Sequence, residues 1–276
     1  MRHESDATGW PLPELIPPPV RIPLADFLSK APDALDGSVE AIVLFGSLAA
    51  GDFDVRTSDI DLIVAISSDV SDEALESLRR MHDELSLAHP QWEGRFDVAY
   101  ISTLGLQTFK ERDHPLAVIS RGEPIHRTST DEGWIMNWHV AREAGVSLLG
   151  PPPRELIAAT TTAEFVAAIR THMLWLHAKA ASSNAPELQA YAIVTACRAL
   201  YSWSTGTQSS KEAAAVWAEQ RYPEWSQPIR GAREWRGTAA GRRPLAQSPI
   251  PAGIEFVEFA TREVSQTPRG SILESS

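Results

Sequence analysis

The chain has 276 residues, 43% of them hydrophobic and 22% charged, which suits one large or two ordinary domains and excludes wholesale disorder, collagen and coiled coil. The net charge of −11 is uneven: residues 1–150 carry 25 acidic and 12 basic side chains, and residues 151–276 carry 11 and 13. An acidic front half argues against long nucleic acid as a partner and suits metal ions or a cationic ligand, and no apolar run approaches the roughly 18–20 residues of a membrane span.

Residues 1–20 hold five prolines, including Pro17-Pro18-Pro19, and read as an irregular lead-in with neither the apolar stretch nor the small-residue site of a secretory signal. Residues 24–35 read as a short helix. EAIVLFGS (40–47) is an apolar run of β-formers ending at Gly46-Ser47, which predicts a buried strand. TSDIDLIVAI (57–66) predicts a second strand. Residues 71–88 have helical spacing, with Ser71 as N-cap and two acids in the first turn, where the helix dipole favours them. Ala74 stands three residues after Ser71, so the reciprocal capping box is absent. RFDVAYIS (95–102) predicts a third strand.

Residues 131–149 read as a helix stopped by Gly150 and the three prolines after it. Helical periodicity returns near 162–182, 186–204, 210–220 and 252–265, and no strand is expected beyond about residue 125. Residues 236–250 read as a loop. The expected architecture is an α/β (α+β) domain with a small mixed sheet over residues 21–150, then an all-α bundle over 151–266, with a lead-in at 1–20 and a flexible tail at 267–276. Cys197 is the only cysteine. It excludes an internal disulfide and a Cys-based zinc site, and a reducing cytoplasm is the expected compartment.

The chemistry concentrates at Gly46-Ser47 and, ten residues on, at Ser58-Asp59-Ile60-Asp61-Leu62. Residues two apart on a strand share a face, so Asp59 and Asp61 are expected to point together while Ile60, Leu62 and Val64 point away. Converging carboxylates hold one or two Mg²⁺ ions, which also take phosphate oxygens and water. A glycine after a strand lets backbone approach a phosphate, and the Ser47 hydroxyl and the following amides can donate to phosphate oxygens. Asp97, between Phe96 and Val98, is the third acid: it could bind a second metal or take a proton from an attacking hydroxyl. Glu93 is its competitor. Trp134 and Trp138, four apart, read as core, and Cys197 as a small buried residue. Metal binding by His172 and His177 lacks supporting neighbours.

Gly-Ser, a spacer, Asp-x-Asp and a later acid resemble the DNA polymerase β-type nucleotidyltransferase superfamily. REAGVSLLGP (142–151) resembles the stretch joining the two domains of aminoglycoside adenylyltransferases of the streptomycin–spectinomycin type. CRALYS (197–202), Thr205-Gly206 and SKEAAAVWA (210–218) resemble that family's helical domain. The resemblance runs from about residue 40 to about 265. It implies that Asp59 and Asp61 bind metal and that Asp97 replaces the usual glutamate base. Gly46, Ser47, Ser58, Arg198 and Lys211 would hold the nucleotide, and Trp175 and Glu187 an acceptor, since an amino sugar wants aromatic faces and carboxylates.

The implied reaction is transfer of AMP from Mg²⁺-ATP to a hydroxyl of a small cationic aminoglycoside, with pyrophosphate released, by a cytoplasmic monomer that needs neither membrane nor long nucleic acid. The alternatives are a non-antibiotic acceptor (a metabolite, a protein or an RNA end) and a non-catalytic, antitoxin-like binding module.

Overall fold

The computed structural model describes residues 12–130, 132–183, 185–238 and 250–266. Residues 1–11 of the lead-in, 239–249 of the expected loop and the tail 267–276 lie outside the described residues. The chain divides into two compact units, the first ending at Ala159 and the second starting at Thr160, beyond the boundary at 150/151 read from the sequence. None of the described helices is long and apolar enough to cross a membrane.

In the first unit the order is α1 (Pro18–Ala34), β1 (Val39–Phe45), α2 (Gly46–Ala49), β2 (Ile60–Ile66), α3 (Asp72–Ala88), β3 (Phe96–Ser102), α4 (Thr103–Thr108), β4 (Pro115–Ser120), β5 (Glu123–Ser129), α5 (Ile135–Ala144), β6 (Val146–Leu149) and α6 (Pro153–Leu156). The sheet is mixed, with strand order β5-β4-β3-β2-β1-β6. Only β2 and β3 pair in parallel, because α3 crosses between them; antiparallel neighbours need no such crossover. Ser71 caps α3 by accepting from the Ala74 amide at 3.1 Å, as its spacing predicts.

Strand alternation sorts the core onto two faces. Ile60, Leu62, Val64, Val98 and Tyr100 pack with Leu24, Phe27 and Leu28 of α1 and with Leu78, Met81 and Leu85 of α3. Ile63, Ala65, Ala99 and Ile101 pack on the other face with Leu106, Trp138, Ala141 and Leu156. Each such leucine or phenylalanine contributes roughly 1.5–3 kcal/mol by leaving water. Trp138 is fully buried and stacks on Trp134 with ring centroids 5.1 Å apart, as core residues should.

Four expectations are corrected here. The helix expected at 24–35 begins at Pro18, because proline fits the first helical turn, where its missing N–H costs nothing. The strand expected at 57–66 begins at Ile60, so Asp59 precedes it. Strands do continue past residue 125: β5 runs to Ser129, a sheet-edge strand with Ile125 as its one buried side chain, so its apolar signal is faint. The helix expected over 131–149 ends at Ala144, and Val146–Leu149 forms β6; four residues are too few to show a period.

The second unit is α7 (Thr162–Ala181), α8 (Pro186–Thr205), α9 (Lys211–Arg221), α10 (Ser226–Thr238) and α11 (Gly253–Ser265). α10 is not expected from the sequence, because its proline and glycines mask its period. Thr161 and Glu164 form a capping box at the start of α7. The central α8 packs against α7, α9, α10 and α11, and Cys197 is buried within it. Arg170 donates to the Val264 carbonyl at 2.6 Å and the Gln266 carbonyl at 2.8 Å, which satisfies the open C-terminus of α11.

Candidate active site

β1 ends at Phe45 opposite Asp61 of β2, and Gly46 follows with φ +67°. Glycine enters that left-handed region without steric cost. A Cβ built on Gly46 would collide with the Asp61 carboxylate, so the missing side chain is the space Asp61 occupies. Ser47 is the second residue of α2, directly after this turn.

On the other side of β2, Asp61 stands opposite Asp97 of β3 in parallel register. Both are partly buried and both alternate with core residues that face the opposite way. The two carboxylates therefore share one face at the same end of the sheet. Burial pushes the Asp97 carboxyl up to about 6, and the charges of Asp59 and Glu123 add to the rise, while a hydrogen bond from Ser120 opposes it. That bond runs from Ser120 Oγ to Asp97 Oδ1 at 3.1 Å. Burial is the main reason this carboxyl resists ionisation, and the nearby carboxylates add to it.

Asp59 sits one residue ahead of β2. Arg121 Nη1 lies 3.5 Å from its Oδ1 and donates to the Thr57 carbonyl at 3.2 Å. The guanidinium puts positive charge where the acids repel. Ser58 is turned into its own loop: its hydroxyl accepts from the Asp54 amide at 3.0 Å. Glu93 is exposed in the turn before β3, and the acids whose charge acts on Asp97 are Asp59 and Glu123.

Among the described residues no group of three or more His, Cys, Asp or Glu side chains is gathered closely enough to hold a metal ion by itself. The oxygen donors of Asp59, Asp61 and Asp97 nevertheless fit a hard divalent cation. Mg²⁺ keeps several waters and takes only one or two carboxylates together with substrate phosphates.

Ser120, Arg121 and Glu123 were missed in the sequence. They belong to the β4–β5 hairpin, where Ser120 pairs with Glu123 around Arg121-Gly122. A two-residue link containing glycine between β-forming runs is the signal that would have found them.

In the second unit, Arg198 is partly buried on α8 and Lys211 is the first residue of α9, after the N-cap Ser210. Neighbouring Glu212 is taken by Arg233, which also holds Glu219 at 2.6 Å. Trp175 is 52% exposed on α7, with the Lys179 ammonium 4.6 Å from its ring centre and the His172 ring 5.6 Å away. Burial, with the Arg198 charge adding, holds the His172 imidazole below its usual value, so α7 and α8 bring His172 and Arg198 within electrostatic reach. Glu187 lies in the first turn of α8.

Comparison with known proteins matches residues 26–111 to the nucleotidyltransferase domain and residues 155–257 to the aminoglycoside adenylyltransferase C-terminal domain. No curated protein sequence matches the chain. Among solved structures, the fold is similar to that of spectinomycin adenyltransferase AAD(9) from Enterococcus faecialis, determined with ATP and spectinomycin. The TM-score is 0.71 at 14% identity, over 88% of this chain and 98% of that one.

Proposed function

With a nucleotidyltransferase domain and an aminoglycoside adenylyltransferase C-terminal domain in one chain, this protein is an aminoglycoside adenylyltransferase-like nucleotidyltransferase, and we propose that it transfers AMP from ATP to a hydroxyl of an aminoglycoside of the streptomycin–spectinomycin type. The observation that carries the reading is the register of Asp61 against Asp97 on parallel strands, with Asp59 beside them and Gly46 leaving room for the Asp61 carboxylate.

Asp59 and Asp61 would hold Mg²⁺, with Asp97 able to complete the set. The ion, when bound, draws charge from the phosphate oxygens and aligns the displacement. Asp97 serves as general base. In the metal-free protein burial raises its carboxyl to about 6, above an ordinary aspartate, and a bound cation would bring it back down. The acceptor oxygen forms a bond to the α-phosphorus, the bond to the bridging oxygen breaks, pyrophosphate leaves, and the hydroxyl proton goes to Asp97. Gly46, Ser47 and Ser58 contribute to the phosphate side, Ser58 by holding the loop ahead of Asp59. Arg198 and Lys211 supply fixed positive charge for the triphosphate.

Trp175 and Glu187 offer a ring face and a carboxylate to a cationic sugar. The solved structure that this fold resembles contains ATP and spectinomycin, which supports small-molecule substrates. The test is pyrophosphate release from Mg²⁺-ATP with streptomycin, spectinomycin and a mixed aminoglycoside panel, for wild type and Asp59→Asn. Drug-dependent release that disappears in Asp59→Asn is expected. Wild-type protein that binds Mg²⁺-ATP and releases nothing with any drug would move the acceptor to another class.

A further inference from the structure

We propose that Arg95 is a positioning residue that fixes where Asp59 stands, and through it the metal affinity of the site; the inference rests on the nucleotidyl-transfer reading above. Asp59 lies outside β2, so the sheet does not hold it directly. Its two flanking peptide groups both bond to Arg95. On one side the Arg95 guanidinium donates to the Ser58 carbonyl, from Nε at 3.1 Å and also from Nη2. On the other side the Ile60 amide donates to the Arg95 carbonyl at 2.7 Å. Nη1 reaches further back, to the Val55 carbonyl at 2.9 Å. One residue thus spans the turn from 55 to 60 and grips Asp59 before and behind.

The guanidinium is itself held. Arg95 is 8% exposed, and its Cζ lies 4.2 Å from the ring centre of Trp92, which is 3% exposed. The Arg95 amide donates to the Trp92 carbonyl at 3.0 Å, so the turn 92–95 folds the arginine back over the indole. Its charge also acts on the carboxylates of Asp59 and Asp54. A planar fork of donors reaches two carbonyls at once, and a lysine ammonium cannot reproduce it. An arginine that merely filled space would be replaceable at equal stability without effect on the metal.

The test is Mn²⁺ binding to the full chain by electron paramagnetic resonance, with and without a non-hydrolysable ATP analogue, for wild type, Arg95→Lys and Asp59→Asn. Thermal unfolding and, where there is turnover, kcat and KM for the acceptor are measured beside it. Arg95→Lys is expected to weaken Mn²⁺ at least about fivefold and lower kcat about tenfold or more, while acceptor KM stays within about twofold and raised Mn²⁺ restores part of the rate. Unchanged Mn²⁺ affinity in folded Arg95→Lys overturns the proposal and leaves the transfer reading intact. So does a loss in which unfolding temperature, kcat and acceptor KM all worsen together with no rescue by metal, since that is a structural role. Wild type that binds no Mn²⁺ in either condition overturns it as well. Wild type that binds Mn²⁺ but releases no pyrophosphate with any acceptor fails the transfer reading alone, and Arg95 is then judged on the binding arm. Should Arg95→Lys fail to fold, Trp92→Leu withdraws the platform, leaves the guanidinium and is read by the same criteria.

Discussion

The Asp61 carboxylate fills the place where Gly46 would carry a side chain. A Cβ there meets Asp61 Oδ2 and Cγ at distances no side chain tolerates, and the glycine φ of +67° is itself unfavourable for other residues. Gly46→Ala must therefore displace the Asp61 carboxylate, the proposed metal ligand, as well as strain the turn. The backbone cost is about 1–2 kcal/mol, visible as a fall of several degrees in unfolding temperature. A carboxylate displaced by about 1 Å lowers transfer roughly 100-fold. Steady-state rates within twofold of wild type would contradict this geometry.

Asp97→Asn should separate catalysis from stability. The native carboxyl ionises near 6, against an ordinary 3.8. Its contribution is thus complete below about pH 4 and is lost as pH rises through 6, because the unfolded chain gives up its proton first. Asparagine carries no charge and keeps an oxygen for Ser120 Oγ. In metal-free protein at pH 8 the variant should be more stable by at most about 3 kcal/mol and so unfold at higher temperature, and the gain should vanish at pH 4. Transfer should fall roughly 10²–10⁴-fold, as for loss of a general base. Calorimetry at the two pH values, with a turnover assay, checks both halves.

His82 of α3 meets Tyr100 of β3 inside the core, Nε2 to Oη 2.7 Å. Burial holds the imidazole down to about 4. The unfolded chain takes up a proton near 6.5 and the native state resists until about 4. Stability is accordingly full above pH 6.5 and drains as pH falls through 4, by about 3 kcal/mol in all. Denaturant titrations from pH 8 to 4 should show the loss, and His82→Gln, which retains a hydrogen-bonding group for Tyr100, should flatten it. An unchanged acid slope in that variant would assign the loss to other groups.

In the helical unit the roles proposed for Arg198, Lys211 and Trp175 separate by substrate. Arg198→Met or Lys211→Met should raise the KM for ATP about 10- to 100-fold, the scale of a lost charge-assisted bond, and leave acceptor KM nearly unchanged. Trp175→Ala should do the reverse. Kinetics with each substrate varied in turn decides it, and a Trp175→Ala effect confined to ATP would reassign that residue.

The legible part of this protein was its local chemistry. Gly46-Ser47 and Ser58-Asp59-Ile60-Asp61 advertise a site because carboxylates between Ile and Leu need a reason to be there. Ser71 marks a helix start with its own hydroxyl. What stayed hidden depends on pairing between distant segments. Ser120 becomes the partner of Asp97, and Arg121 of Asp59, only when β4 lies against β3. Arg95 gains its role from carbonyls about 40 positions away, and no period in the chain encodes that. The early start of α1 was hidden for the opposite reason: three prolines read as a break, although the first turn of a helix accepts them.

The last strand of the sheet, Val146–Leu149, covers the outer edge of β1 through Ile42, Val43 and Leu44. During synthesis the ribosome has already released all three candidate catalytic acids before this strand emerges. Until then one of the most apolar strands, VEAIVLF, has an uncapped side that offers its backbone to any other extended chain. Translation that stalls or terminates ahead of Val146 therefore leaves a fragment with all three candidate acids and one edge of β1 unpaired by β6, a border open to other extended chains. β6, the last strand of the first unit, thus closes the edge of β1 that would otherwise be open to another chain.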